Sequence, residues 1–247
     1  TGDNNTAYGS NALTGNTTAD NNTAVGKSAL STNTTGANNT AVGSHALSAS
    51  TTVANNTAVG YYALQANTTG TQNVSVGSSS SYSTTTGSYN TALGHSALYT
   101  NITGTRNTAL GKNAAYYTTG DDNTSIGYFA GQYNTGSNNV NIGNFSNEVG
   151  TTGTDNVSVG LSSQRYLGTG SDNVAIGRNA LHSSISGSTG QLTGNSNTGV
   201  GRSALYAVTS GALNTAVGGY ALSSNTTANN NVAVGYNSLY LNTTGHS

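Results

Sequence analysis

The chain has 247 residues, of which 5% are charged, with a formal net charge of −1 and no Cys, Met, Trp or Pro. Near-neutrality excludes the basic footprint that nucleic acid or anionic lipid requires, and the missing cysteines exclude disulfides, thiol chemistry and Cys-based metal sites. No apolar run approaches the roughly 18 residues of a membrane-spanning helix, so no membrane insertion by this segment is expected, and no signal peptide is visible.

Low charge with abundant Gly, Asn, Thr and Ser is also a composition of disordered chains, but here the sequence keeps register. NNTAVGKSAL at 21–30 returns as NNTAVGSHAL at 38–47 and as NNTAVGYYAL at 55–64. Aligned on the glycine after "AV", fourteen copies run through Gly9, Gly26, Gly43, Gly60, Gly77, Gly94, Gly111, Gly127, Gly143, Gly160, Gly177, Gly201, Gly218 and Gly235. The step is 17 residues, except for 16 twice between Gly111 and Gly143 and 24 once between Gly177 and Gly201. Such a period predicts stacked coils. The expected fold is all-β, a β-solenoid or β-roll of about fourteen 17-residue coils, one continuous array over 1–247 that reads as a segment of a longer fibre.

Each coil begins four residues before its glycine with Asn, as in Asn22, Asn39, Asn56 and Asn73. Asn tolerates left-handed backbone and bonds neighbouring backbone groups, so a stack of these residues predicts an amide ladder. The next three residues alternate: Thr or Val at −3, a small residue at −2, and Val, Ile, Leu or once Tyr8 at −1. That is the period of a short strand. The −1 aliphatics (Val25, Val42, Val59 and Val76) are expected to stack in one column facing the same core as Leu30, Leu47 and Leu64. Thr occupies −3 in nine of fourteen coils and reads as inward with them. The turn glycines Gly26, Gly43, Gly60 and Gly77 permit backbone that other residues reach only with strain. A polar link such as NTTG at 33–36 and 67–70 closes the coil.

One Val and one Leu per coil contribute roughly 3–6 kcal/mol when buried. Ordering the backbone of a coil costs on the order of 17–34 kcal/mol. The apolar content is thin, and the small −2 column would let a second backbone approach closely. Both suggest coils shared between chains, most simply three around one axis.

Among chemistry-bearing residues, Asp122, Asp155 and Asp172 occupy one register, where Asp replaces Asn as a turn residue; a carboxylate pair or a calcium site there is the weaker reading. His45, His95, His182 and His246 fall at four different repeat positions. No catalytic set, metal site or cofactor is expected, and no residue argues for an enzyme. Asn33 and Asn67 head N-x-[ST] sequons that Asn-Thr repetition produces. Aromatics are the better lead. Tyr61 and Tyr62 follow one turn glycine, and Tyr128 and Phe129 follow another. Tyr82, Tyr99 and Tyr116 share a position in three successive coils, which predicts a stacked tyrosine column bracing the outer face. The insertion that makes the 24-residue step, near 182–194, predicts a loop carrying His182 and Gln191. Tyr61, Tyr62, Tyr128, Phe129, His182 and Gln191 are therefore the candidate ligand-binding residues.

The core N-x-A-[VI]-G, as in NVAIG at 173–177 and NTAVG at 56–60, with NVSVG at 156–160 as a variant, resembles the head repeat of YadA-like trimeric autotransporter adhesins. With its "AL…NTTG" extension it is similar to repeats of phage tail fibres and bacterial surface fibres. The resemblance covers essentially the whole chain, although the adhesin repeat is shorter than 17 residues. It implies a homotrimeric, left-handed β-roll, extracellular on a cell surface or a virion tail, that mediates attachment to a host-surface glycan or protein receptor. The left hand is implied by the family alone, since parallel crossovers ordinarily favour the right-handed form. The alternative from another class is a single-chain solenoid that assembles into an extracellular filament, or whose threonine array binds ice.

Overall fold

A computed structural model describes residues 2–183, 190–243 and 245. The chain is all-β, a β-solenoid, with fourteen three-residue strands and no helix among the described residues. It divides into two compact units, Thr1–Asp122 and Asn123–Ser247. The first contains β1 (Thr6–Tyr8), β2 (Thr23–Val25), β3 (Thr40–Val42), β4 (Thr57–Val59), β5 (Val74–Val76), β6 (Thr91–Leu93) and β7 (Thr108–Leu110). The second contains β8 (Thr124–Ile126), β9 (Val140–Ile142), β10 (Val157–Val159), β11 (Val174–Ile176), β12 (Thr198–Val200), β13 (Thr215–Val217) and β14 (Val232–Val234). Within each unit every strand pairs in parallel with its neighbours in the chain, in the register of the sequence repeat: Thr23 faces Thr40, Ala24 faces Ala41 and Val25 faces Val42. The long step does not disturb this, since Val174 faces Thr198 and Ile176 faces Val200.

The turn glycine ends each strand for two reasons. Gly43 has φ +134, and a Cβ on it would lie 2.4 Å from the carbonyl oxygen of Gly60 in the next coil. Only glycine meets both the torsion and the approach. The following residues form a second side of the coil, built from alternating left-handed residues rather than strand: His45 has φ 59 and Leu47 φ 49. This alternation aims successive peptide groups along the coil axis in turn. His45 N–H donates back to Lys27 O at 2.8 Å, and Leu47 N–H donates forward to Ala63 O at 3.1 Å. The threonine link is equally regular. Thr34 and Thr35 both donate their N–H groups to Thr51 O, at 2.7 and 3.2 Å, and the Thr34 hydroxyl adds a third bond to it at 2.9 Å.

The orientation of the strands corrects the sequence expectation. Val25, Val42, Val59 and Val76 do stack in register, but they are only half-buried and face outward with the −3 threonines. The residues inside are the small ones: Ala24, Ala41 and Ala58 are fully buried against Ala29, Ala46 and Ala63 and against Leu30, Leu47 and Leu64. A coil this short encloses room for one Leu opposite an Ala, so side-chain size, not β-branching, selects the inward face. The −2 column is therefore filled by the chain's own leucines and is not the place where a second backbone approaches. Two stretches replace this lining with polar groups. Ser75 bonds Ser80 at 2.9 Å where neighbouring coils place alanines. Asn147 Nδ2 donates to Asn141 Oδ1 at 3.1 Å in the second unit.

Candidate functional site

The asparagine column fixes the height of everything on the coil. The backbone N–H of Asn39 donates to Asn22 Oδ1 at 2.9 Å, Asn56 repeats this onto Asn39 at 3.0 Å, and Asn73 onto Asn56 at 2.9 Å. Each side-chain amide also donates forward, Asn22 Nδ2 to Gly36 O and Asn73 Nδ2 to Gly87 O, both at 2.9 Å. All four side chains are buried, as an amide ladder requires. A second buried column went unread in the sequence. Asn33 Nδ2 donates to Gly36 O at 2.9 Å and Asn67 Nδ2 to Gly70 O at 2.8 Å. The two sequon asparagines are therefore spent on closing the link and are closed to solvent. The signal was the N-x-x-G spacing of the link itself.

With coil height set, residues five after each turn glycine stack as rungs. Tyr82 and Tyr99 lie 5.1 Å apart at 6°, and Tyr99 and Tyr116 lie 4.7 Å apart at 10°, the predicted column. Tyr62 caps it edge-on at 5.9 Å and stacks on His45 at 5.1 Å. Tyr61, 53% exposed, touches Tyr62 with centroids 4.1 Å apart, so this predicted pair does come together. Tyr128 and Phe129 also meet, at 4.2 Å, and Phe129 stacks on Phe145 at 5.9 Å. Arg165 packs on Phe145 and on Tyr166, at 5.0 and 5.4 Å, while its Nε donates to Glu148 Oε2 at 2.6 Å.

His182 is placed differently from expectation. It belongs to the regular coil, stacked on Tyr206 at 5.1 Å and 6° and edge-on to Tyr166 at 5.3 Å. Its neighbour Ser183 keeps the ladder, donating N–H to Tyr206 O at 3.0 Å. Desolvation, with the nearby Arg165 charge, lowers the His182 pKa to about 4, so the ring is neutral at pH 7. The chain rejoins the coil at Leu192, which pairs with Leu167 and accepts from Gly168 N–H at 2.9 Å. Gln191 stands half-buried at that rim, and most of the expected loop, residues 184–189, lies outside the described residues, as does His246.

The aspartates are turn residues. Asp122, Asp155 and Asp172 all have φ near 58–59, the left-handed position that Asn fills elsewhere. The Arg106 guanidinium, bonded to Asp122 at 2.6 and 2.8 Å, holds that carboxyl below the usual carboxylate range. Among the described residues no group of three His, Cys, Asp or Glu is gathered in metal-binding geometry.

A further surface feature lies in the second unit and was not foreseen. A groove of about 300 Å³ is lined by Asn179, Ser203, Tyr206, Tyr220, Ser223 and Tyr240. Tyr220 stands at 70° to Tyr240, 6.4 Å away, and Arg202 packs on the Tyr220 ring at 5.3 Å. Compared with known proteins, the chain matches no family model and no curated protein sequence.

Proposed function

We propose that this chain is part of a homotrimeric extracellular fibre that projects from a cell or virion surface and mediates attachment. The observation that carries the reading is the outward face of the strands. None of the fourteen strands contains a charged residue, and their outward ranks are Thr, Val, Ile and Leu with one Tyr. Parallel sheets are ordinarily covered on both faces. Here the inner face is closed by the chain's own Ala and Leu, while the outer face leaves Leu93 45% and Leu110 41% exposed. A narrow apolar ribbon of constant register fits its own copies, because each rank meets an identical rank at the same height. The number three comes from the resemblance to trimeric adhesin and tail-fibre repeats. Light scattering on the chain should give about three times 24.6 kDa. A folded monomer at micromolar concentration would overturn the fibre reading.

One observation favours a second reading. The −3 threonines point outward, so in the first unit Thr6, Thr23, Thr40, Thr57, Thr91 and Thr108 form a nearly unbroken rank on a strand face. A single-chain solenoid with that face free would order water along it, and ice binding or filament assembly would follow. The same face cannot be covered by copies and free, so solution mass and thermal hysteresis separate the two.

A further inference from the structure

We propose that the groove between Tyr206, Tyr220 and Tyr240 is a carbohydrate subsite that takes one neutral hexopyranose ring in the gap left at Ser223. This rests on the attachment reading and places recognition on a regular side of the coil.

The gap follows from the column geometry. The residues five after Gly177, Gly201, Gly218 and Gly235 are His182, Tyr206, Ser223 and Tyr240. Rings at this position stack at one coil step, 4.7 Å for Tyr99 on Tyr116 and 5.1 Å for His182 on Tyr206. Ser223 carries no ring, so Tyr206 and Tyr240 stand two coil steps apart, roughly 9.6 Å. That leaves the thickness of one ring between them, with Ser223 as floor and Tyr220 as side wall.

The lining selects the kind of ring. Its six side chains are amides, hydroxyls and phenols, with no charge among them. Asn179, Ser203 and Ser223 both donate and accept, as the hydroxyl rim of a sugar does. Aromatic faces match the C–H face of a pyranose. A phosphate or carboxylate ligand would ask for cations in the lining; the nearby Arg202 guanidinium is not among the lining residues and packs on the Tyr220 ring at 5.3 Å. The volume sits at the small end of ligand sites, in keeping with one sugar unit. The groove also lies on a different side of the coil from the outward strand face, so assembly through that face leaves it open.

The test uses the whole chain and methyl glycosides of glucose, galactose, mannose and N-acetylglucosamine as probes in saturation-transfer NMR, with N-acetyl-tyrosinamide as the competing ring-shaped ligand. At least one glycoside should receive saturation from the parent protein. Ser223→Tyr supplies the missing rung in a position that takes Tyr in neighbouring coils, so the fold and melting temperature should hold while the signal disappears. Tyr220→Ala leaves the groove open but without its wall, and should weaken the same glycoside at least about tenfold. Equal glycoside signals for the parent and Ser223→Tyr would overturn the location. Signal from N-acetyl-tyrosinamide alone would overturn the carbohydrate assignment. Adsorption of the parent to cells with no glycoside signal would remove the groove and leave the fibre reading standing. Glycoside binding by a monomeric chain would keep the groove and remove the fibre.

Discussion

Removing one rung of the asparagine ladder tests whether coil stacking depends on buried amides. Asn39 is the sharpest site. Its Nδ2 donates to Val53 O at 2.7 Å, and its Oδ1 accepts the backbone N–H of Asn56 at 3.0 Å. Val53 O receives no second donor among the described residues. Asn39→Ala therefore strands one buried carbonyl and one buried N–H, at about 1–3 kcal/mol each, or about 2–6 kcal/mol together. Asn22→Ala makes a paired control, because its acceptor, Gly36 O, also receives Asn33 Nδ2 at 2.9 Å. That variant strands only the Asn39 N–H and should cost about 1–3 kcal/mol plus one lost bond of about 1 kcal/mol. Urea unfolding followed by circular dichroism at one fixed chain concentration gives both values, with the exposed Thr35→Ala as reference. If Asn39→Ala costs no more than Thr35→Ala, the ladder is not what holds the coils. If Asn22→Ala costs more than Asn39→Ala, the shared-acceptor argument fails.

Gly43→Ala should destabilise by at least about 3 kcal/mol in the same assay, since it combines the Gly-only torsion with the contact to Gly60 O. Leu213, 58% exposed with φ 60, occupies a position where other coils place Asn; Leu213→Asn should raise stability by about 1 kcal/mol, read as a higher melting temperature. His182 gives a pH dependence of known sign. The unfolded imidazole protonates near 6.5 and the folded one near 4, so its contribution is complete above pH 6.5 and is lost as pH falls toward 4. The loss should be on the order of 1–2 kcal/mol once solvent screening of this partly exposed ring is allowed for, and His182→Phe should abolish that segment of a stability–pH curve.

Strand positions, the turn glycines and the −4 asparagines were legible because a period read over fourteen copies averages away local exceptions. The facing of the strands was not. Thr-Ala-Val offers two faces at period 2, and branching suggested the wrong one, because only the cross-section of the closed coil shows that Ala is what fits. The second asparagine column hid for a related reason: Asn33 and Asn67 sit in a link whose composition reads as loose, and their burial depends on the coils above. The candidate site divides the same way. Tyr61 with Tyr62, and Tyr128 with Phe129, were found because they are adjacent in sequence. His182 was assigned to the insertion because it begins there, whereas the ladder bond of Ser183 keeps it in the coil. The groove is marked by a ring that is absent at Ser223, and an absence is visible only once the column around it is known.

The ladder has one more consequence, for length variation. The Asn-to-Asn bond is 3.0 Å across the 16-residue step from Asn123 to Asn139, 3.0 Å across the 17 residues to Asn156, and 2.9 Å across the 24 residues from Asn173 to Asn197. Residues added to a coil thus enlarge its circumference and leave its rise unchanged. Pitch and perimeter are separate variables in this architecture. An insertion can grow sideways without putting any coil beyond it out of phase.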